Sequence, residues 1–89
     1  MNICMKKYLP IGSVVHLING EKTLMIYGRK QVSAESEVIY DYLSCPYPEG
    51  DIDGESYLFN HSDISEVMFT GYINAEEVKL LNDIVEEFG

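Results

Sequence analysis

The sequence predicts an α+β fold: a curved antiparallel sheet or small barrel of about five strands, packed by one C-terminal amphipathic helix. Three observations lead there. Short β-branched and aromatic runs recur through residues 13–69, joined by connections too short for parallel crossovers. Asn19-Gly20 sits between two of these runs and is the strongest short-range hairpin signal, because both residues tolerate positive φ. Residues 74–88 carry a helix-period apolar stripe behind a good N-cap.

Taken in order, residues 1–9 read as a short arm ended by Pro10, flexible over 1–7. The run 13–18 and the run 23–29 are the first two strands, paired antiparallel around a turn at 19–22. Gly28, late in the second run, marks a bulge or sharp bend. Residues 31–37 are polar and read as a loop, and 38–43 as a third strand with apolar groups on both faces, hence central or covered on its second side. Pro46 and Pro48 cannot donate to a ladder, so this strand should end near Ser44. Pro48-Glu49-Gly50 and Ile52-Asp53-Gly54 are successive turn signals. Tyr57-Leu58-Phe59 is a short strand, Asn60 or Ser62 can cap a single helical turn, and Val67-Met68-Phe69 is the last strand. In the helix, Asn74 is the N-cap, with Glu77 completing a capping-box pattern and Ile73 and Val78 spaced for a hydrophobic staple. Val78, Leu81, Ile84, Val85 and Phe88 form the face that buries on the sheet. Glu86 and Glu87 oppose the helix dipole at its C-terminal end, so fraying is expected after about Val85.

Eighty-nine residues make one domain, 1–89, small enough that an obligate partner or a homodimer is physically reasonable. The net charge of −9 is unevenly placed: 1–30 carries +4 and 31–89 carries −13, with Lys79 its single cation. Such a field repels phosphate backbones, which argues against nucleic acid, and steers basic protein partners inward; solubility is its other meaning. Cys4 and Cys45 form no close pair, and neither a secretory signal nor a membrane span is indicated, so two free thiols in a cytoplasmic protein are expected.

Four stretches hold residue types that catalysis or metal binding uses. Glu49-x-Asp51-x-Asp53-Gly54 copies the start of a calcium loop, but Asn60 stands where a bidentate Glu is needed, so an acidic solvated turn is expected. His16 lies inside an apolar strand. His61-Ser62-Asp63 holds triad residue types, but sequence neighbours cannot orient one another as a triad requires. Cys45 has no basic neighbour to lower its pKa, and no close pair of ligands anchors zinc. No catalytic residue, metal or cofactor is therefore expected, and protein recognition remains. The stretch 40–54 is the candidate contact surface, with Tyr42, Tyr47, Pro48, Glu49, Asp51 and Asp53 as partner-binding residues; the prolines lower the entropy cost of ordering it, and Tyr47 is the leading contact.

The segments 8–15, 24–29, 40–42, 46–50, 58–64 and 67–72, in this order, resemble the domain-of-unknown-function family numbered 4176; among them are Pro46-Tyr47-Pro48-Glu49-Gly50 and Leu58-Phe59-Asn60-His61-Ser62-Asp63-Ile64. Its members are similar to small proteins encoded beside LXG-type toxins of the type VII secretion systems of Gram-positive bacteria. The resemblance implies an accessory or chaperone-like role: binding the toxin's helical N-terminal region in the cytoplasm and helping to deliver it for export. It brings no catalytic residues with it. The alternative is an immunity protein that neutralises a toxin domain, its acidity mimicking a nucleic-acid substrate.

Overall fold

The computed structural model describes residues 8–51, 54 and 56–88, with side chains through Glu86. Strands β1 (Val14–Leu17), β2 (Leu24–Val32), β3 (Ile39–Pro46), β4 (Tyr57–Phe59) and β5 (Ile64–Phe69) precede helix α1 (Ala75–Phe88), and a 3-10 turn, His61–Asp63, separates β4 from β5. The strands form one antiparallel sheet in the order β4-β3-β2-β1-β5. It is not closed into a barrel. The arm expected over 1–7, with Cys4, lies outside the described residues, as do Ile52 and Asp53 of the second expected turn.

The order itself requires curvature. β4 and β5 occupy opposite edges, yet only residues 60–63 join them. Five extended steps from Phe59 to Ile64 span at most about 18 Å, whereas four flat interstrand gaps need about 19 Å. The 3-10 turn shortens the reach further, so the sheet must curl to bring its edges together. The turn accordingly lies across the end of the sheet: the His61 ring sits 5.8 Å from that of Tyr42 on β3, and Ile18 N–H just after β1 donates to Asp63 O at 2.8 Å.

The first hairpin forms as expected, with Val14 opposite Met25 and Val15 opposite Leu24. Asn19, at φ 64°, supplies the positive φ, and Gly20 N–H closes the turn onto Leu17 O at 2.9 Å. The bulge expected at Gly28 is present: between Ile26 and Gly28 the register with β3 shifts by one, and a Cβ on Gly28 would lie 3.2 Å from Leu43 Cβ. Three boundaries differ from expectation; one is that β5 begins at Ile64, three residues before the expected Val67. β2 runs on through Gln31 and Val32, which pair with Tyr40 and Ile39, because the turn is confined to 33–38 by a Ser33 N–H to Val38 O bond. β3 reaches Pro46 instead of ending at Ser44. Tyr47 N–H bonds to Thr23 O at 2.9 Å, which places Pro46 at a non-hydrogen-bonded position against β2 and beyond the reach of β4, so its missing donor costs no ladder bond. β3 is buried on both faces, as its sequence implied.

One face of the sheet carries the core: Val15, Leu24, Ile26, Tyr42 and Phe59, joined by Tyr8 and covered by Leu81, Ile84 and Val85 of α1. Asn74 caps the helix, its Oδ1 accepting Glu77 N–H at 2.9 Å. The Glu77 carboxylate, however, does not fold back to complete a capping box. It forms a bidentate pair with Arg29, at 2.6 and 2.7 Å, with side chains only 12% and 3% exposed. That contact turns Glu77 toward the sheet and leaves Val78 half exposed, as is Ile73. The helix continues to Phe88, beyond the expected fraying point, and the Phe88 side chain lies outside the described residues.

Between β5 and α1 the chain crosses the turn at 10–13 at backbone contact. A Cβ on Gly71 would lie 2.0 Å from Ile11 O, so only glycine fits. Gly71 N–H donates to Ser13 Oγ at 3.0 Å, and that hydroxyl donates to Pro10 O at 2.8 Å, leaving the fully buried Ser13 satisfied.

Candidate functional site

The face of the sheet opposite α1 carries an open apolar groove of about 460 Å³, lined by Gly12, Val14, Met25, Tyr47, Met68 and Phe69. The register builds it. Phe69, Val14, Met25 and Cys45 lie side by side across β5, β1, β2 and β3, and the turn after β3 brings Tyr47 up as the far wall. Cys45 is buried beside it; burial pushes its thiol up from the usual range, and the charge of Asp51 adds to the effect, so it remains a neutral apolar neighbour. Met68 is 51% and Phe69 62% exposed, so the wall formed by β5 stands open to solvent. Below them on this face, Glu66 is paired in register with His16, whose Nε2 lies 2.8 Å from Thr23 Oγ1.

The residues expected to contact a partner divide accordingly. Tyr47, 49% exposed, lines the groove, and Pro48, Glu49 and Asp51 are exposed in the turn beside it. The Tyr47–Pro48 bond is cis. Glu49 is held by Lys22 at 2.7 Å, which lowers its pKa and ties the turn to the β1–β2 connection. Asp53 lies outside the described residues. Tyr42 is corrected: it is wholly buried on the other face and offers no surface to a partner. Sequence reasoning missed Val14, Met25, Met68 and Phe69. The available signal was Val67-Met68-Phe69, three large apolar residues in succession where a half-buried strand alternates.

Tyr42 instead organises a buried polar cluster. Its hydroxyl accepts Leu9 N–H at 2.9 Å and lies 2.7 Å from His61 Nδ1, so the hydroxyl proton is available to that nitrogen. Burial pushes its pKa up to about 12, against the opposing effect of the Leu9 bond. The Asp41 carboxylate accepts His61 N–H at 2.9 Å and pairs with Lys30 at 3.3 Å, while Asp41 N–H donates to Asn60 Oδ1 at 3.1 Å. Asn60 N–H in turn donates to Asp63 Oδ2 at 2.9 Å. His61, Ser62 and Asp63 thus form the 3-10 turn itself, and His61 is oriented by β3 and not by its sequence neighbours. The cluster fastens the chain before β1, strand β3 and the turn before β5 to one another. Among the described residues, no three His, Cys, Asp or Glu side chains gather where a metal ion could be held, and no helix is long and apolar enough to cross a membrane.

The chain belongs to the family described as Domain of unknown function (DUF4176), whose model matches residues 8–80. No curated protein and no solved structure matches it.

Proposed function

We propose that this DUF4176 chain is a non-catalytic, cytoplasmic accessory protein that binds the helical N-terminal region of an LXG-type toxin and keeps it ready for type VII export. The observation that carries the proposal is the apolar groove. Its lining of Val14, Met25, Tyr47, Met68 and Phe69 lies on the sheet face that α1 does not cover. An exposed apolar concavity with aromatic and methionine walls suits the apolar face of a partner helix. The family's resemblance to proteins encoded beside such toxins supplies the identity of the partner, and the excess of acid over residues 31–89 favours one with basic flanks.

Co-expression with an LXG-type toxin and its separated N- and C-terminal halves tests the reading. The expected result is co-purification with the N-terminal half, lost in a Met68→Glu, Phe69→Glu double variant that melts like the parent. Separate elution from both halves overturns it. Binding to the C-terminal half with protection of cells replaces it with toxin immunity.

A further inference from the structure

The groove accounts for one face of β5 but not for the strand as a whole. β5 is the terminal strand of the sheet, and among the described residues β1 alone pairs with it. Its edge is six residues long and lacks the proline and lysine that blunt many natural edge strands; its guards are Glu66 and two register shifts against β1. It exposes apolar side chains to both sides: Val67, opposite the core residue Val15, is 44% exposed on the α1 side, while Phe69, opposite Val14, is exposed on the groove side. A helix laid in the groove covers Met68 and Phe69 and leaves Val67 in water. A helix beneath the sheet does the reverse. Only a strand laid alongside β5 flanks both rows at once, since its alternate side chains fall on the two faces.

We infer that β5 is a strand-addition site that takes an extended segment of a partner protein, apolar on both faces and bearing lysine or arginine. The inference rests on the reading of this chain as a protein-binding module and adds a second contact, made by an extended segment outside the partner's helix. Charge selects the occupant. Glu66 is exposed at the centre of β5, and the chain carries −9 overall. A second copy would bring a second Glu66 and another −9 to the same edge, whereas a basic segment sets a cation beside that carboxylate. Strand addition then supplies main-chain hydrogen bonds for affinity and the two apolar rows for register.

The test uses the full chain and a synthetic nine-residue valine-rich peptide that bears two lysines or arginines. Binding is measured by titration calorimetry, and amide exchange is followed along β5. The expected result is binding with slowed exchange of β5 amides. A peptide methylated on alternate backbone nitrogens should bind at least about tenfold more weakly, because strand pairing needs those N–H groups. In Glu66→Lys, affinity for the basic peptide should fall and affinity for its glutamate counterpart should rise. Val67→Lys, at a half-exposed edge position, should weaken binding while the melting temperature stays near the parent's. Equal binding of the methylated peptide overturns the inference, as does a dimer of the free chain at micromolar concentration whose β5 amides are protected. If the toxin half still co-purifies with Val67→Lys at full strength, strand addition fails while the proposed function stands.

Discussion

Replacing Glu77 with alanine should be among the most damaging single changes that can be made on the helix. Both charges of the Arg29–Glu77 pair are withdrawn from water, with side chains 3% and 12% exposed, and the contact is bidentate at 2.6 and 2.7 Å. Without Glu77, the guanidinium keeps a single long bond to Leu9 O at 3.3 Å and is otherwise a buried cation. Losing one partner of a buried pair costs about 3–5 kcal/mol, and the lower end applies because water can enter from the partly open Glu77 side. For a domain of this size, about 3 kcal/mol lowers the melting temperature by roughly 12–24 °C. Long-range charge works the other way: removing one acid from a chain at −9 relieves self-repulsion, so any loss must come from the local pair. Urea unfolding followed by far-UV circular dichroism reads the loss, and amide exchange shows whether α1 detaches alone. A double variant, Arg29→Met with Glu77→Leu, should recover most of the stability, since an apolar pair of similar volume leaves no charge stranded. A loss below about 1 kcal/mol in Glu77→Ala would refute the reasoning, as would a double variant no more stable than the single one.

Three further outcomes follow from particular contacts. Gly71→Ala should fail to give a folded chain, because its Cβ would lie 2.0 Å from the Ile11 carbonyl oxygen and the obstacle is backbone; a native-like melt would contradict the crossing of 10–13 by 70–72. Tyr42→Phe strands the Leu9 N–H and removes the partner of His61 Nδ1, costing about 1–3 kcal/mol near neutral pH. Because the Tyr42 pKa is raised to about 12, its contribution should be complete below the usual tyrosine value of about 10 and fade as pH climbs from there to 12, so parent and Tyr42→Phe should converge in urea titrations across that window. Tyr47→Ala should weaken partner binding while leaving the melt unchanged, since its ring lines the open groove; unfolding would make the turn part of the scaffold.

Where local chemistry decided the outcome, the sequence was readable. Asn19-Gly20, Gly28, Asn74 and the run of β3, apolar on both faces, each carry their structural instruction within a few residues, and the structure places the turn, the bulge, the cap and the doubly covered strand at those positions. What was lost depended on distant partners. Glu77 satisfies the local pattern of a capping box, but an arginine 48 residues away takes its carboxylate, and that contact turns Val78 out of the expected helix face. Tyr42 and Tyr47 are the same residue type five positions apart, and both read as contact residues in the sequence. Only the pairing of β3 with its neighbours sets Tyr42 toward the core and Tyr47 beside the groove. The edge position of β5 was hidden for the same reason, because a strand's place in a sheet is a property of the whole order.

β3 also explains why binding and stability should be separable in this small domain. Its early part, at Asp41 and Tyr42, holds the polar cluster that ties the chain before β1 and the 3-10 turn to the sheet. Its final part, at Cys45 and on into Tyr47, reaches the groove on the opposite face and toward the other end. About three to five residues separate them, or roughly 10–16 Å along a strand. Changes on the groove wall at Tyr47, Met68 or Phe69 should therefore add to changes at Tyr42 or Glu77 without coupling, as independent sites at such separations do. Combining Phe69→Glu with Tyr42→Phe tests this directly: the double variant should lose the same stability as Tyr42→Phe alone, to within about 0.5 kcal/mol. A larger discrepancy would mean that the curled sheet transmits strain from its fastening to its groove, and that partner binding is felt at the His61 turn.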